Sequence, residues 1–404
     1  MGICCTARSL LTAALLAAGS SAAFGQAPAP GPRMEIYGYV QADVGYDFNQ
    51  ISPDWYDVLR VSQLPTYQNQ YGEDGRTWAS VRASRLGVKT WTPTRLGEIK
   101  TVFEFELFGV GVDAGQTTFH LRHFWGELGD FGMGQYNTPF MDMDVFPNQL
   151  ETWGPPAMVG FRNIQVRWMP LRGKDEVFVA LERPGASADG GVYADHVALQ
   201  NVRIRTPVPD LTAHYRRTDS WGHVQLSGIL RRIKWDDLDN DQYDLSGSAT
   251  AWGLHVSTNV KVGSGDLVRA SVAYGEGIQS YFTDSGVDIG VQKNPGDPVR
   301  PIVGKALPIL GFLVFYEHPW SKKLSTTVGY SYEYTWNTDG QDPSSLKRID
   351  YALANLQYTP VPGLMIGSEL QWGRRESFSD GFRADDTRVQ FTFKYSFSWI
   401  FGGT

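Results

Sequence analysis

Beyond residue 25 this 404-residue sequence contains no cysteine; the only two, Cys4 and Cys5, lie near the N-terminus. Disulfide staples and thiolate metal sites are thereby excluded from the rest of the chain. Long hydrophobic runs are missing as well: nothing after residue 25 approaches the roughly 20 consecutive apolar residues that a membrane-spanning helix needs. G-x-S-x-G, H-E-x-x-H and G-x-x-x-x-G-K-[ST] do not occur, which removes the common signatures of esterases, zinc proteases and phosphate-binding loops. The net charge is -7 with no basic stripe, so nucleic acid is not a partner. No linker, repeat or shift of composition divides the chain into the two or three soluble domains its length would suit.

What is present begins with an export pattern. Arg8 supplies a positive start, Leu10 to Ala18 an apolar core and Ala23-Phe24-Gly25 a small-x-small cleavage site. Residues 1–25 therefore read as a cleaved signal peptide. Both cysteines precede the apolar core, which argues against a lipid attachment. Residues 26–33 (QAPAPGPR) read as a short extended tether without heptads, 34–397 as one β-domain, and 398–404 as a C-terminal extension.

From Met34 the sequence alternates. Ile36, Val40, Ala42, Val44, Tyr46 and Phe48 share one face; Glu35, Tyr37, Tyr39, Gln41, Asp43 and Asp47 share the other. Val389, Phe391, Phe393, Tyr395 and Phe397 repeat the pattern against Arg388, Gln390, Thr392 and Lys394. Between them lie fourteen more strand-like runs, most about 9–13 residues long, the length of a tilted membrane-crossing strand. Seven short connections rich in Gly or Pro alternate with eight long polar ones, near 49–77, 110–116, 137–161, 184–208, 235–246, 278–304, 337–347 and 379–386. The expected fold is all-β: a 16-stranded antiparallel transmembrane β-barrel with both termini at one end. Closure matters because no strand edge can stay unpaired in lipid. Tyr193–Arg205 could be a further strand but lacks a partner to preserve parity, so it is placed in a loop.

Aromatic residues gather at strand ends, among them Tyr46, Phe48, Trp91, Trp168, Trp235, Trp320, Trp336, Trp372 and Tyr395, and are expected to form two girdles at headgroup level. The competing reading, a soluble β-sandwich, leaves the alternation of loop lengths unexplained. Leu307–Tyr316 is apolar on both faces, which suggests a wall covered by a partner subunit or a bulged strand.

The segment Asn137–Phe161 fits neither helix nor strand. It has four prolines, three carboxylates, and Met141, Met143, Phe146, Leu150 and Trp153, which favour burial. It is expected to fold inward from the outer rim, with Asp142, Asp144 and Glu151 facing a channel and Arg162 closing the segment. Strand parity puts Arg85, Lys89, Arg167, Arg269, Arg375, Arg388 and Lys394 on the inner face, with Glu98, Lys100, Glu104 and Glu106 aligned on one strand. Arginine forks match carboxylates with two hydrogen bonds, and rings of charge select ions in pores; the alternative role for each is strand register. Asp237, Asp239 and Asp241 have calcium-loop spacing, but Gln242 and Ser248 occupy the Gly and closing Glu positions, so neither metal nor cofactor is expected. His120 and His123 flank Arg122 without a third ligand. An outer-membrane hydrolase assembled from distant strands, or a structural or adhesive barrel, are the alternatives from other classes.

Several stretches resemble the DcaP-like dicarboxylic-acid porins of Gram-negative outer membranes. They are Gly134-Gln-Tyr-Asn-Thr-Pro-Phe-Met-Asp-Met-Asp144, Gln165-Val-Arg-Trp168, Pro209-Asp-Leu-Thr-Ala-His-Tyr-Arg216 and Trp221-Gly-His-Val-Gln-Leu-Ser-Gly228. Ala273-Tyr-Gly-Glu-Gly277, Trp372-Gly-Arg-Arg-Glu376 and Arg388-Val-Gln-Phe-Thr-Phe-Lys-Tyr-Ser-Phe397 complete the set, in the same order along the chain. The resemblance implies a homotrimeric porin in contact with lipid and lipopolysaccharide, whose third outer loop (here Phe140–Phe161, followed by Arg167) folds into the lumen. It also implies passive uptake of small anionic solutes, dicarboxylates among them. Members of that family commonly end at the aromatic matching Phe397, whereas this chain continues for seven residues.

Overall fold

The computed structural model describes residues 31–186, 201–263 and 265–403; the expected signal peptide and most of Tyr193–Arg205 lie outside them. Sixteen antiparallel strands close into a barrel. They are β1 (Arg33–Asp47), β2 (Arg85–Thr94), β3 (Gly97–Phe108), β4 (Thr117–Leu128), β5 (Phe131–Asn137), β6 (Arg162–Leu171), β7 (Asp175–Glu182) and β8 (Asp210–Asp219). The circuit continues with β9 (Gly222–Asp237), β10 (Gly247–Val262), β11 (Asp266–Glu276), β12 (Pro308–Pro319), β13 (Leu324–Thr335), β14 (Leu346–Val361), β15 (Leu364–Ser377) and β16 (Arg383–Gly402). Each strand pairs with its chain neighbour, and β1 with β16 closes the ring. A short piece, Arg76–Ser80, extends the second stave along the outer end of β1. Val202–Arg205 pairs only with the outer end of β9, so it belongs to the loop rather than the wall.

Alternation sets which side chains meet lipid. Along β1, Val40 and Val44 are half-exposed on the outside, whereas Gln41, Asp43 and Asp47 are buried within. The same two-residue period runs along the other staves, because lipid accepts only the apolar face and backbone polar groups are satisfied between strands.

Three expectations change. Residues 398–402 continue β16: Met34 pairs with Phe401 and Arg33 with Gly402, and the outward row Phe391, Phe393, Tyr395 runs on through Trp399 and Phe401. The boundary at 397 is therefore not a strand end; β1 starts early enough to require a partner along those residues. Trp91 and Trp235 do not join an outer girdle. Trp91 faces the lumen, and Trp235 is buried with its indole N–H donating to the Leu245 carbonyl (2.9 Å). Trp168, Trp320 and Trp336 do face outward.

The third change concerns β12. Its inner residues Ile309, Leu313 and Phe315 are fully buried in one cluster with Phe140, Met158, Val159 and Phe282. Gly311 lies between them: a Cβ there would sit 2.4 Å from Phe282 and 3.1 Å from the Cβ of Ala157. The inner face of the strand is apolar because its own chain covers it, and its pairing with both neighbours runs without a bulge. Each such side chain withdrawn from water contributes roughly 1.5–3 kcal/mol.

Candidate functional site

The inner wall has two unlike halves, and the segment 138–161 separates them. Its first residues are held by side chains of β8, β9 and β10. His214 and His255 bond through Nδ1 to the carbonyls of Pro139 (3.0 Å) and Phe140 (2.9 Å), and Gln225 donates to the Met141 carbonyl (3.0 Å). Asp142 is buried, with His223 Nε2 at 2.6 Å, the Ser257 hydroxyl at 2.7 Å and Arg216 at 3.4 Å. Burial alone would raise this carboxyl, but those hydrogen bonds and charges bring it down to about 2. Asp144 pairs with Arg216, and its carbonyl accepts from Arg269.

The tip of the segment reaches the opposite staves. Asn355 and Gln357 of β14 donate to the Asn148 carbonyl (2.8 and 2.7 Å), and Glu369 of β15 accepts the amides of Leu150 (2.9 Å) and Glu151 (3.2 Å). Gln41 of β1 donates to the Leu150 carbonyl, and Ala157 donates its amide to the Ser331 hydroxyl of β13. Glu151 turns back on its own turn and accepts the amides of Trp153 (3.0 Å) and Gly154 (2.9 Å). Its burial outweighs those donors and the nearby Arg388, and with Glu369 close by pushes the carboxyl up to about 8. Neither Glu151, turned onto the amides of its own turn, nor Asp142 is a free carboxylate facing the channel. Only Asp144 is substantially exposed, and it is paired.

Between the tip and the other half of the wall lies a cavity of about 290 Å³, lined by Arg85, Arg122, Arg162 and Lys394 on one side and Gln149 to Trp153 on the other. Two of the cations are neutralised. Arg85 and Arg122 both reach Glu104 and Glu106, Arg122 at 2.8 and 2.7 Å. The other two have no ion pair among the described residues: Lys394 stacks its ammonium 3.7 Å above the Tyr39 ring, and Glu106 and Glu104 act on the Arg162 guanidinium only from further away. Four cations against the three carboxyls of Glu104, Glu106 and Glu151 leave a positive balance whichever protonation state Glu151 holds.

Arg122 escaped the sequence reading for a definite reason. The β3–β4 register slips between Glu104 and Phe105, opposite His123 and Leu121, so Arg122 is a bulged residue. The bulge turns His120, Arg122 and His123 all inward, whereas strict alternation sends 122 and 123 to opposite faces. The alternating row His123, Trp125 and Glu127, out of phase by one with His120, was the available signal.

The remaining expected lumen residues divide by partner. Lys89 faces Glu35 (3.5 Å) and lies 4.2 Å from the Tyr37 ring. Arg269 pairs with Glu317 (2.6 Å). Arg375 is buried and donates to Ser377 and to the Ser344 carbonyl. Arg388 is fully buried, paired with Asp47 (3.0 Å), donating to the Tyr56 carbonyl and lying 4.5 Å over the Trp78 ring. These last two hold loops rather than line an open path. Arg167 sits elsewhere in the lumen, enclosed by rings. A further arginine, Arg60, went unremarked: it lies between Trp55 (4.3 Å) and Trp153 (4.6 Å) and pairs with the buried Asp284 (3.0 Å), tying three outer loops together. In the acidic loop, Asp237 accepts the amides of Asp239 and Leu245, so its oxygens serve the turn itself.

Comparison with known proteins agrees with this architecture. The outer membrane channel DcaP of Acinetobacter baumannii superposes with a TM-score of 0.75 over 91% of this chain and 98% of that one, at 22% identity. An anion-selective porin from Comamonas acidovorans gives 0.58 over 91% and 100%, at 10% identity, and OmpT of Vibrio cholerae in its trimer form 0.54 over 91% and 100%, at 12%. No curated protein matches the sequence. The family model described as DcaP outer membrane protein matches residues 26–397. This chain belongs to the DcaP outer membrane protein family.

Proposed function

We propose that the protein is an outer-membrane diffusion channel that favours small anions, carboxylates and dicarboxylates among them. In this reading the segment 138–161 is the third outer loop turned into the lumen, and the path runs between its tip and the cationic wall. The observation that carries the proposal is the cluster Arg85, Arg122, Arg162 and Lys394 around one cavity, with two of the four outside ion-pair distance of any carboxylate among the described residues. Unpaired cations beside the tip of the segment attract an anion without a competing internal partner, and their partial exposure keeps the attraction weak enough for release. Two separated free charges also suit a solute with two carboxylates better than one. The OmpT trimer and the family assignment support a homotrimer for this chain as well.

Reversal potentials in planar bilayers under a salt gradient test the reading. Chloride should permeate better than potassium, and the double variant Arg162→Ala/Lys394→Ala should move the reversal potential towards zero. A cation preference in the unaltered protein would refute it.

A further inference from the structure

A second cavity, of about 270 Å³, lies nearer the short-turn end of the lumen and shares no lining residue with the first. Its centre is Arg167. The guanidinium is ringed by Trp125 (5.1 Å), Phe178 (5.4 Å) and Tyr136 (5.6 Å), and it donates to Gln165 Oε1 (3.0 Å) and the Asn137 carbonyl. No carboxylate lies within ion-pair distance of it among the described residues; Glu182 and Glu127 act only from further away. The cage is rigid by construction. Trp125 lies flat on Gly132, where a Cβ would come 2.0 Å from the indole, and Phe178 packs on His214 at 4.7 Å.

The cavity adds Lys100 and Arg172, which share the single carboxylate of Glu127 (3.4 and 3.2 Å), and Lys89. Trp91, Val102 and Met169 supply apolar surface beside these charges. A caged, unpaired arginine next to two cations sharing one acid is a preformed seat for an anion: the cost of orienting it is met before the ligand arrives. The adjoining apolar wall distinguishes ligands by what hangs from the charged group.

We propose that this cavity is a second binding site in the channel, selective for a carboxylate that carries a small apolar or aromatic body. The carboxylate sits against Arg167 and Lys100, and the body against Trp91 and Phe178. The site rests on the reading of the protein as an anion channel and adds discrimination between anions of equal charge.

The test is block of the chloride current through the full-length protein in a planar bilayer by benzoate and by acetate, added on each side in turn. Benzoate is expected to block from the short-turn side at about tenfold lower concentration than acetate, the factor that 1.4 kcal/mol of apolar contact gives. Phe178→Ala should bring benzoate to the acetate level, and Arg167→Gln should weaken block by both. Equal block by the two ions in the unaltered protein, or a benzoate advantage that survives Phe178→Ala, would overturn the proposal. The chloride-to-potassium ratio measured without organic ions reports separately on the anion-channel reading.

Discussion

The two halves of the inner wall put their polar side chains to opposite ends. Under the segment 138–161, the staves β8 to β15 present His214, His223, His255, Ser257, Asn355 and Glu369, each spent on that segment's backbone or side chains. On the uncovered half, β2, β4 and β16 present Arg85, Arg122 and Lys394 to open space, joined by Arg162 at the end of the segment. A single strand shows the contrast. On β16, Arg388 is fully buried against Asp47 and Trp78, while Lys394, six residues on, faces the cavity without an acid partner. Residue type therefore says little about role in this barrel; cover decides it. A covered arginine is engaged by an acid or by neutral acceptors, as Arg388, Arg375 and Arg167 are, because an unsatisfied buried charge is costly, whereas an uncovered one can remain available to solute.

The sharpest way to break the comparison is to remove the cover. Deleting Pro147–Pro156 should raise single-channel conductance severalfold and leave the barrel folded, since the staves pair independently of the tip; an unchanged conductance would place the current path away from the segment. Next comes the covered arginine. Arg388→Ala leaves Asp47 buried without its ion-pair partner and should lower stability by about 3–5 kcal/mol, read as a drop in the denaturant midpoint for unfolding in detergent. The corresponding Lys394→Ala, at an unpaired and reachable cation, should barely move that midpoint.

The smallest effect concerns pH. The Glu151 carboxyl is raised in the folded protein to about 8 from its ordinary value near 4.5. Between those values the folded state holds a proton that the unfolded state has released, so this group's contribution to stability falls as pH rises through the window and levels off above about 8. An ionised Glu151 beside Glu369 loosens the tip from β15. Open-channel current noise is therefore expected to grow from pH 6 to pH 9, and Glu151→Gln should make it independent of pH over that range; identical noise in both proteins at pH 9 would show that the tip is held by other contacts.

Much of this architecture is legible in the residues. Two-residue alternation from Met34 onward and the alternation of short and long connections lead to sixteen staves, because a strand in lipid has one apolar face and no free edge. The burial of Met141 and Leu150 follows equally from their chemistry. The inward placement of Arg85 and Lys394 is a matter of counting by two. Counting fails where the backbone changes phase, and the bulge at Arg122 is such a place: one extra residue turns a lipid-facing position into a lumenal one. Continuation of β16 through residue 402 was visible as further alternating aromatics, but the pairing that uses it depends on where β1 begins.

The sequence alone determined the staves, their order, their closure and which face meets lipid, since these rest on local periodicity and the chemistry of one solvent. Only the tertiary structure decided which inward charges are engaged and which are free. That distinction depends on what the loops between 48 and 84, 138 and 161, and 277 and 307 lie against, through contacts between residues more than 100 positions apart such as Asp142 with Ser257 and Leu150 with Glu369. No local pattern encodes such contacts, and so Asp142 and Glu151, carboxylates that look poised to face a channel, are the ones that hold its lining in place.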